Sequence, residues 1–307
     1  MNVIRSANEL NPGGRKVCVA IGVFDGVHLG HQQVIRQTIA DSQQHEAISV
    51  VVTFDCHPSS IVAPERTPPL IYPLPEKMRV IESLDVQTAL LIHFDKSFSQ
   101  ISAEDFIRGL TCEFKNIHSV CVGSNFTFGH KRQGNVEFLK KLGAELNFVV
   151  HGLAAVSLDG ERLSSTRIRD AIRDGNLDSA SQMLGRAYSL IGKIIEGEKM
   201  GRQLGFPTAN LEVSGLILPP NGVYAAHAKV GGRIFRAAVN IGIRPTMKKS
   251  TPQLHVEAHL LDFSGDLYAQ EMELTFVEKL RDEQNFPSLE ALKQQISKDV
   301  DAADQLF

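Results

Sequence analysis

Two histidines three residues apart, His28 and His31, stand in the run GVFDGVHLGHQQVI (22–35), between an apolar strand-like segment and a helix-like one. At a helix start, that spacing puts both imidazoles on one face. The free N–H groups and dipole of a helix N-terminus favour anions. Donors placed there can stabilise a phosphate whose charge grows during transfer, as in nucleotidyl transfer, where positioning and charge stabilisation replace an enzyme nucleophile. Asp25-Gly26 makes the turn, and Gly30 removes a side chain where a ligand would approach the backbone. Gly22, Phe24, Asp25 and Gly30 are therefore phosphate-binding candidates beside the histidines. A metal site is a second reading of the pair, without a third ligand at sensible local spacing. A structural role for either imidazole is a third. Neither GxxxxGK[ST] nor a GxGxxG after a strand occurs.

Two further runs carry chemistry. In LSSTRIR (163–169), Ser165, Thr166 and Arg169 offer two hydroxyls and a guanidinium at a helix start, a phosphate clamp that helix capping explains equally well in isolation. In GEKMGRQLGFPTANLEV (197–213), glycines including Gly201 and Gly205 precede Pro207-Thr208-Ala209-Asn210. Such glycines let a loop fold over phosphates, and a Thr hydroxyl with an Asn carbonyl can ligate Mg²⁺, which prefers oxygen. A flexible hairpin with capping Thr and Asn is the competing account.

The elements that must position these residues follow from periodicity. Apolar runs at 17–24, 48–54, 88–94, 119–126 and 145–153 read as strands. Helical stretches separate them: Gln32–Ala40, 76–84, 102–110 capped by Ser102, and 136–143 ending at Gly143. Strands alternating with helices of this length imply βαβ units, hence an α/β, doubly wound parallel sheet with its ligand crevice outside the strands' carboxyl ends. A helix pair over 164–185 follows. From Tyr188 the texture changes to short β-type runs with Gly, Asn, Asp and Pro between most of them, which suggests an antiparallel barrel or sandwich. A last helix over 288–306 starts behind Ser288 as N-cap. The shift places a domain boundary near residue 185, giving domains 1–184 and 185–307.

Two domains suit 307 residues. Hydrophobic content of 43% with 22% charged residues is that of a folded globular chain. A net charge of −3 argues against a general binder of nucleic-acid backbone, though not against a local anion pocket. No apolar stretch approaches a membrane span, and the amino terminus lacks a secretory apolar core, so a cytoplasmic protein is expected. Cys18, Cys56, Cys112 and Cys121 form no CxxC pair. Cys18 and Cys121 lie in apolar runs as small hydrophobes.

GVFDGVHLGH resembles the HxGH signature of nucleotidyltransferases, specifically that of the bacterial bifunctional riboflavin kinase/FMN adenylyltransferase (FAD synthetase) family. TFDCHPSSIVAPE (53–65) is similar to the family's TFDPHP segment, with Cys56 where proline is usual. VGSNFTFGHKRQG (122–134) resembles a family loop that places Asn125 at a flavin- or nucleotide-contacting position. LSSTRIR resembles the family's ISSTxIR, which covers the triphosphate. In the second half, residues 197–213 resemble the kinase module's GxGxxLGFPTANL, and VNIGIRPTM (239–247) and VEAHLLDFSGDLY (256–268) resemble its next two motifs. The resemblance implies that Thr208 and Asn210 hold Mg²⁺ and ATP phosphates, that Glu257 is the catalytic base, and that Arg281, in LRDEQNFPSLEAL (280–292), contacts flavin. A carboxylate there meets the demand of phosphoryl transfer to a primary hydroxyl, while for a lone strand glutamate a solvated role is the usual one. Met247 for Phe and Ala269 for Gly are packing-scale departures. Mg²⁺, ATP, riboflavin and FMN are the implied ligands, and the oligomeric state is left open. A kinase with a regulatory partner domain and a flavin-responsive binding protein are the rival functions. The retained His28, His31, Arg169 and Glu257 argue against both.

Overall fold

The computed structural model describes residues 1–197, 200–244 and 253–307. Residues Pro245, Thr246 and Met247 of the VNIGIRPTM run, including the departure at Met247, lie outside the described residues. The chain divides into two compact units, Met1–Arg167 and Ile168–Phe307.

Unit 1 is built on a six-stranded, all-parallel sheet: β1 (Asn2–Ile4), β2 (Val17–Ile21), β3 (Ile48–Phe54), β4 (Thr88–Ile92), β5 (Ile117–Gly123) and β6 (Val149–Leu153), in the order β1-β4-β3-β2-β5-β6. β2 and β3 are buried nearly end to end, as parallel strands covered on both faces must be. On one face, Val17, Val19, Ile21, Val50 and Val52 pack against α3 (Ala103–Phe114) and α4 (Val136–Leu146). On the other, Ala20 and Val51 pack against α1 (Leu29–Gln44) and α2 (Leu74–Glu82). Helices on both faces make the sheet doubly wound, as the sequence predicts.

Local chemistry sets the helix ends. The Ser102 hydroxyl accepts the Asp105 N–H at 3.0 Å and starts α3. Asn135 starts α4 by accepting the Phe138 N–H at 2.8 Å. The predicted stop of α4 at Gly143 is corrected: the helix runs to Leu146 and ends at Asn147, which is left-handed (φ 63). Gly143 is a packing position, because a Cβ there would come within 2.7 Å of the Phe148 carbonyl oxygen. The short β1 went unrecognised in the sequence, as three residues carry too little pattern.

In unit 2, α5 (Ser165–Arg173), within which the division falls, and α6 (Leu177–Leu184) precede a closed barrel. Its strands are β7 (Ser189–Ile195), β8 (Ala209–Leu211), β9 (Gly222–Val230), β10 (Arg233–Arg244), β11 (Gln253–Leu260) and β12 (Glu271–Arg281), in the order β7-β8-β11-β10-β9-β12, and all pair antiparallel. α7 (Met200–Leu204) lies between β7 and β8. Leu190, Leu211, Val239, Val256, Ala258, Met272 and Leu274 fill the interior. The terminal α8 (Leu289–Asp304) starts at Ser288, whose hydroxyl accepts the Ala291 N–H at 3.1 Å. It packs on the barrel through Ala303 against Ala225 and Ala238, small residues that permit a close approach.

Candidate active sites

In unit 1 the candidate residues gather at the carboxyl end of β2. Phe24 turns left-handed (φ 53), and Gly26 (φ 76) and Val27 (φ 41) follow. A β-branched residue at positive φ must be held there by its surroundings, and several bonds do so. The Asp25 carboxylate accepts the Ile71 N–H at 3.1 Å, the Asp25 carbonyl accepts the Ser165 hydroxyl at 3.1 Å, and Gln32 Nε2 donates to the Val27 carbonyl at 3.0 Å. Gly22 is required by contact, since a Cβ would come within 2.9 Å of the Phe24 ring.

His28 is the N-cap of α1 and is 6% exposed. Its Nδ1 accepts the His31 N–H at 3.2 Å, which leaves the proton on Nε2 and makes that nitrogen a donor. The two imidazoles are stacked, with centroids 3.6 Å apart and planes 16° from parallel. Phe24 meets His31 edge-on at 5.3 Å. Gly30 lies under the pair, where a Cβ would stand 3.2 Å from the His28 ring. Burial, followed by the neighbouring His28 and Lys77, holds His31 well below the ordinary imidazole range, so it is neutral at pH 7.

The Ser-Ser-Thr run divides its work. The Ser164 hydroxyl accepts the Arg167 N–H at 3.2 Å and caps α5, while Ser165 fastens to the histidine turn. Thr166 is exposed on the first turn. Arg169 is buried one turn after Ser165, on the same side of α5. Asn125 is exposed, and its amide lies beside the Arg162 guanidinium, so that its oxygen, turned towards Arg162, accepts from both Nη1 and Nη2.

Two features of unit 1 escape the sequence reading. A cavity of about 810 Å³ opens beside the tips of β2 and β3, with Phe54, Phe94, Phe98, Phe106, Phe126 and Phe128 in its lining. The phenylalanines come from four separate segments, at residue 54, at 94 and 98, at 106, and at 126 and 128, so only folding assembles them. The second is Lys77, 8% exposed, whose ammonium donates to the Phe54 carbonyl (2.7 Å), the Thr53 hydroxyl (3.2 Å) and the Val23 carbonyl (3.4 Å). A signal for it exists: Lys77, Val80 and Ile81 fall at i, i+3, i+4, on the buried stripe of α2.

In unit 2, strand register does the positioning. Glu257 on β11 lies opposite Asn210 on β8 and Asn240 on β10, so two amides flank one carboxylate on three adjacent strands. Val256 and Ala258 point into the barrel, which puts His255, Glu257 and His259 together on its outer face by strand alternation. Asn240 is a member the sequence reading did not single out. The Thr208 hydroxyl donates to Glu257 Oε2 at 3.4 Å, a long bond. His259 Nδ1 is 2.8 Å from the Pro207 carbonyl, holding the Phe-Pro-Thr-Ala-Asn segment against β11. Two glycines are closely approached. A Cβ on Gly197 would strike the Asn210 amide, and one on Gly201 the Phe206 carbonyl. Gly205 sits at φ 94, the left-handed region. Thr208 also lines a cavity of about 550 Å³ with Arg202, Phe263, Asp266 and Tyr268. Arg281 is engaged by the terminal helix: Nε bonds Asp299 Oδ1 at 2.9 Å, Nη2 bonds Asp299 Oδ2 at 2.7 Å, and Nη1 bonds the Asp282 carbonyl at 2.9 Å.

The cysteines are all free. Burial pushes the Cys121 thiol up to about 12 and raises that of Cys18, so both stay protonated. Among the described residues, no helix is long and apolar enough to cross a membrane, and no cluster of three or more His, Cys, Asp or Glu could hold a metal.

Two family models match successive parts of the chain. Residues 11–167 match the FAD synthetase family, and residues 184–307 match the riboflavin kinase family. A bifunctional riboflavin kinase/FMN adenylyltransferase of Buchnera aphidicola is 36% identical over 98% of this chain and 96% of its own length. One of Haemophilus influenzae is 35% identical over 100% and 99%. A solved structure described as a macrolide-efflux protein from Streptococcus pneumoniae covers 98% of both chains with a TM-score of 0.81 at 27% identity. With both family matches in chain order and full-length relatives above one-third identity, the chain belongs to the bifunctional riboflavin kinase/FMN adenylyltransferase family.

Proposed function

We infer that the chain, by this membership, is an enzyme of flavin nucleotide synthesis, taking riboflavin to FMN and FMN to FAD with ATP. We propose how the two steps are divided and which residues perform them, with residues 1–184 as the adenylyltransferase domain and 185–307 as the kinase domain. The observation that carries the reading is that in each half a reactive polar group adjoins a residue lining a cavity: stacked His28 and His31 on the turn that follows Val23, which lines the phenylalanine-rich one, and Glu257 bonded to Thr208, which lines the other.

In the kinase step, the primary hydroxyl of riboflavin attacks the γ-phosphorus of ATP, its proton passes to Glu257, and ADP leaves. Asn210 and Asn240 flank Glu257 and orient the carboxylate. Gly197, Gly201 and Gly205 keep the segment over the phosphates free of side chains. The Thr208 hydroxyl and Asn210 carbonyl are hard oxygen donors beside that carboxylate, a set that fits Mg²⁺. Bound there with the nucleotide, Mg²⁺ supplies neutralisation of phosphate charge. Arg281 holds α8 on the barrel through Asp299, and its flavin contact would be made from that fixed position.

In the adenylyl step, an FMN phosphate oxygen attacks the α-phosphorus and pyrophosphate leaves. His28 donates through Nε2, and His31 stays neutral beside it, so the pair stabilises the transferring phosphate through hydrogen bonds rather than fixed charge. Gly22, Phe24, Asp25 and Gly30 shape the turn. Ser165, Thr166 and Arg169 contribute hydroxyls and charge for the triphosphate from α5, and Asn125 positions substrate from an exposed loop. The phenylalanine-lined cavity is large and apolar enough for an isoalloxazine ring, which in a chain without Trp stacks on Phe. Four free cysteines agree with work in a reducing cytoplasm.

Chromatography of products from riboflavin, ATP and Mg²⁺ tests the proposal. FMN followed by FAD is expected. FMN that accumulates without FAD would remove His28 and His31 from any working site, and FAD formed only from added FMN would remove Glu257.

A further inference from the structure

Lys77 is the group in unit 1 that neither the turn nor the cavity accounts for. A buried ammonium is costly unless every donor finds a partner, and Lys77 has three donors and three acceptors: the Phe54 carbonyl, the Thr53 hydroxyl and the Val23 carbonyl. The Thr53 hydroxyl in turn donates to the Val23 carbonyl at 3.1 Å, so the three strand-tip groups and the ammonium form one closed set. The acceptors come from two strands. Val23 follows β2 and leads directly into Phe24, Asp25 and the histidine turn. Thr53 and Phe54 end β3, and Phe54 is part of the cavity wall. Both tips lie at the carboxyl ends of parallel strands, where outward carbonyls would otherwise present negative partial charge towards an incoming phosphate.

We propose that Lys77 is a positioning residue for adenylyl transfer, its ammonium clamping the strand tip that leads into His28 and His31 to the strand tip that walls the flavin cavity. The inference rests on the reading of unit 1 as the adenylyltransferase. The clamp fixes the distance between the phosphate-stabilising imidazoles and the bound aromatic substrate, and small misplacements of such groups are expensive in rate. It also places a cation near His31, where positive charge disfavours the imidazolium and keeps that ring a neutral hydrogen-bonding group. The charged and titratable groups facing Lys77 are Asp25 from the turn, Asp55 and Cys56 from the segment after β3, and His31 from α1. Burial pulls its ammonium down to about 8 against the opposing pull of the two aspartates, so the clamp loses its charge in the mildly alkaline range.

The test uses the full chain, with its riboflavin kinase rate as internal control. Lys77→Met keeps length and removes all donors. It should lower the kcat of FMN adenylylation by about tenfold or more while the KM for FMN and ATP and the kinase rate stay within about threefold. Lys77→Arg keeps a charge that does not titrate, so the alkaline decline in adenylylation kcat, expected above about pH 8 in the unaltered enzyme, should move up by about one pH unit or more. Adenylylation by Lys77→Met within about twofold of the unaltered rate overturns the proposal. Should Lys77→Met lose the melting transition of unit 1, the pH profiles decide. A kcat that is flat from about pH 7.5 to about 9.5 in the unaltered enzyme overturns the proposal, and a decline there that Lys77→Arg moves supports it. An unaltered chain that makes no FAD from FMN would instead sink the reading of unit 1, a result distinct from either outcome for Lys77.

Discussion

His28 and His31 are neighbours with different constraints. His28 spends Nδ1 on the His31 N–H and keeps its donor at Nε2, while His31 is held neutral by burial between His28 and Phe24. Preorganised donors of this kind need no reorganisation as charge develops on the transferring phosphate. His31→Ala should therefore cut FMN adenylylation by about two orders of magnitude or more, the usual worth of such a donor, with riboflavin phosphorylation by the same preparation unchanged. Steady-state rates of both reactions check this, and an unaltered adenylylation rate would take His31 out of the mechanism. The histidine turn was legible in the sequence because its chemistry is local: the end of a strand, a turn, two imidazoles and a helix start fall within fifteen consecutive residues (21–35). Lys77 was not. In the run EKMRVIESL a lysine reads as the solvated side of a helix, and only its place among Val80 and Ile81 on the apolar stripe hints otherwise. Its partners at 23, 53 and 54 lie too far off in sequence to betray it.

At the scale of elements, the two halves position their residues by different physics. Unit 1 uses the ends of parallel strands, where β2 and β3 stop and the chain turns outward, so its site residues cluster by topology. Unit 2 uses antiparallel register, and the row Asn210–Glu257–Asn240 exists because three strands align those positions. Register is why Asn240 escaped notice, since nothing local in VNIGIRPTM says which residue its asparagine will face. The loop before β8 adds a steric condition. Gly197→Ala would drive a methyl group into the Asn210 amide, displacing one of the two oxygen donors proposed for Mg²⁺ and the nucleotide. We expect it to reduce riboflavin phosphorylation by about tenfold or more, while FAD formation from supplied FMN stays normal. A coupled ADP-release assay beside a pyrophosphate-release assay measures the split. Equal loss of both activities would assign Gly197 to folding instead. Helix boundaries were legible where a cap announces them, as at Ser102 and Ser288. They were misread at Gly143, where glycine serves close packing under Phe148 and breaks nothing.

Across the whole molecule, two compact units carry candidate sites of unlike construction, and the product of one reaction is the substrate of the other. The change from βαβ spacing to short β-runs announced the two-part architecture, because layer patterns are written in periodicity along the chain. The cavities were illegible for the opposite reason. Phe54, Phe94 and Phe126 come from three separate segments, and their convergence is a property of the fold. We propose that the two chemistries belong to separate sites, with Glu257 serving only one. Product chromatography of the Glu257→Gln chain tests it most directly, with riboflavin or FMN supplied alongside ATP and Mg²⁺. No FMN or FAD is expected from riboflavin, and FAD from FMN at close to the unaltered rate. FMN formed from riboflavin, or FAD lost when FMN is supplied, would contradict it.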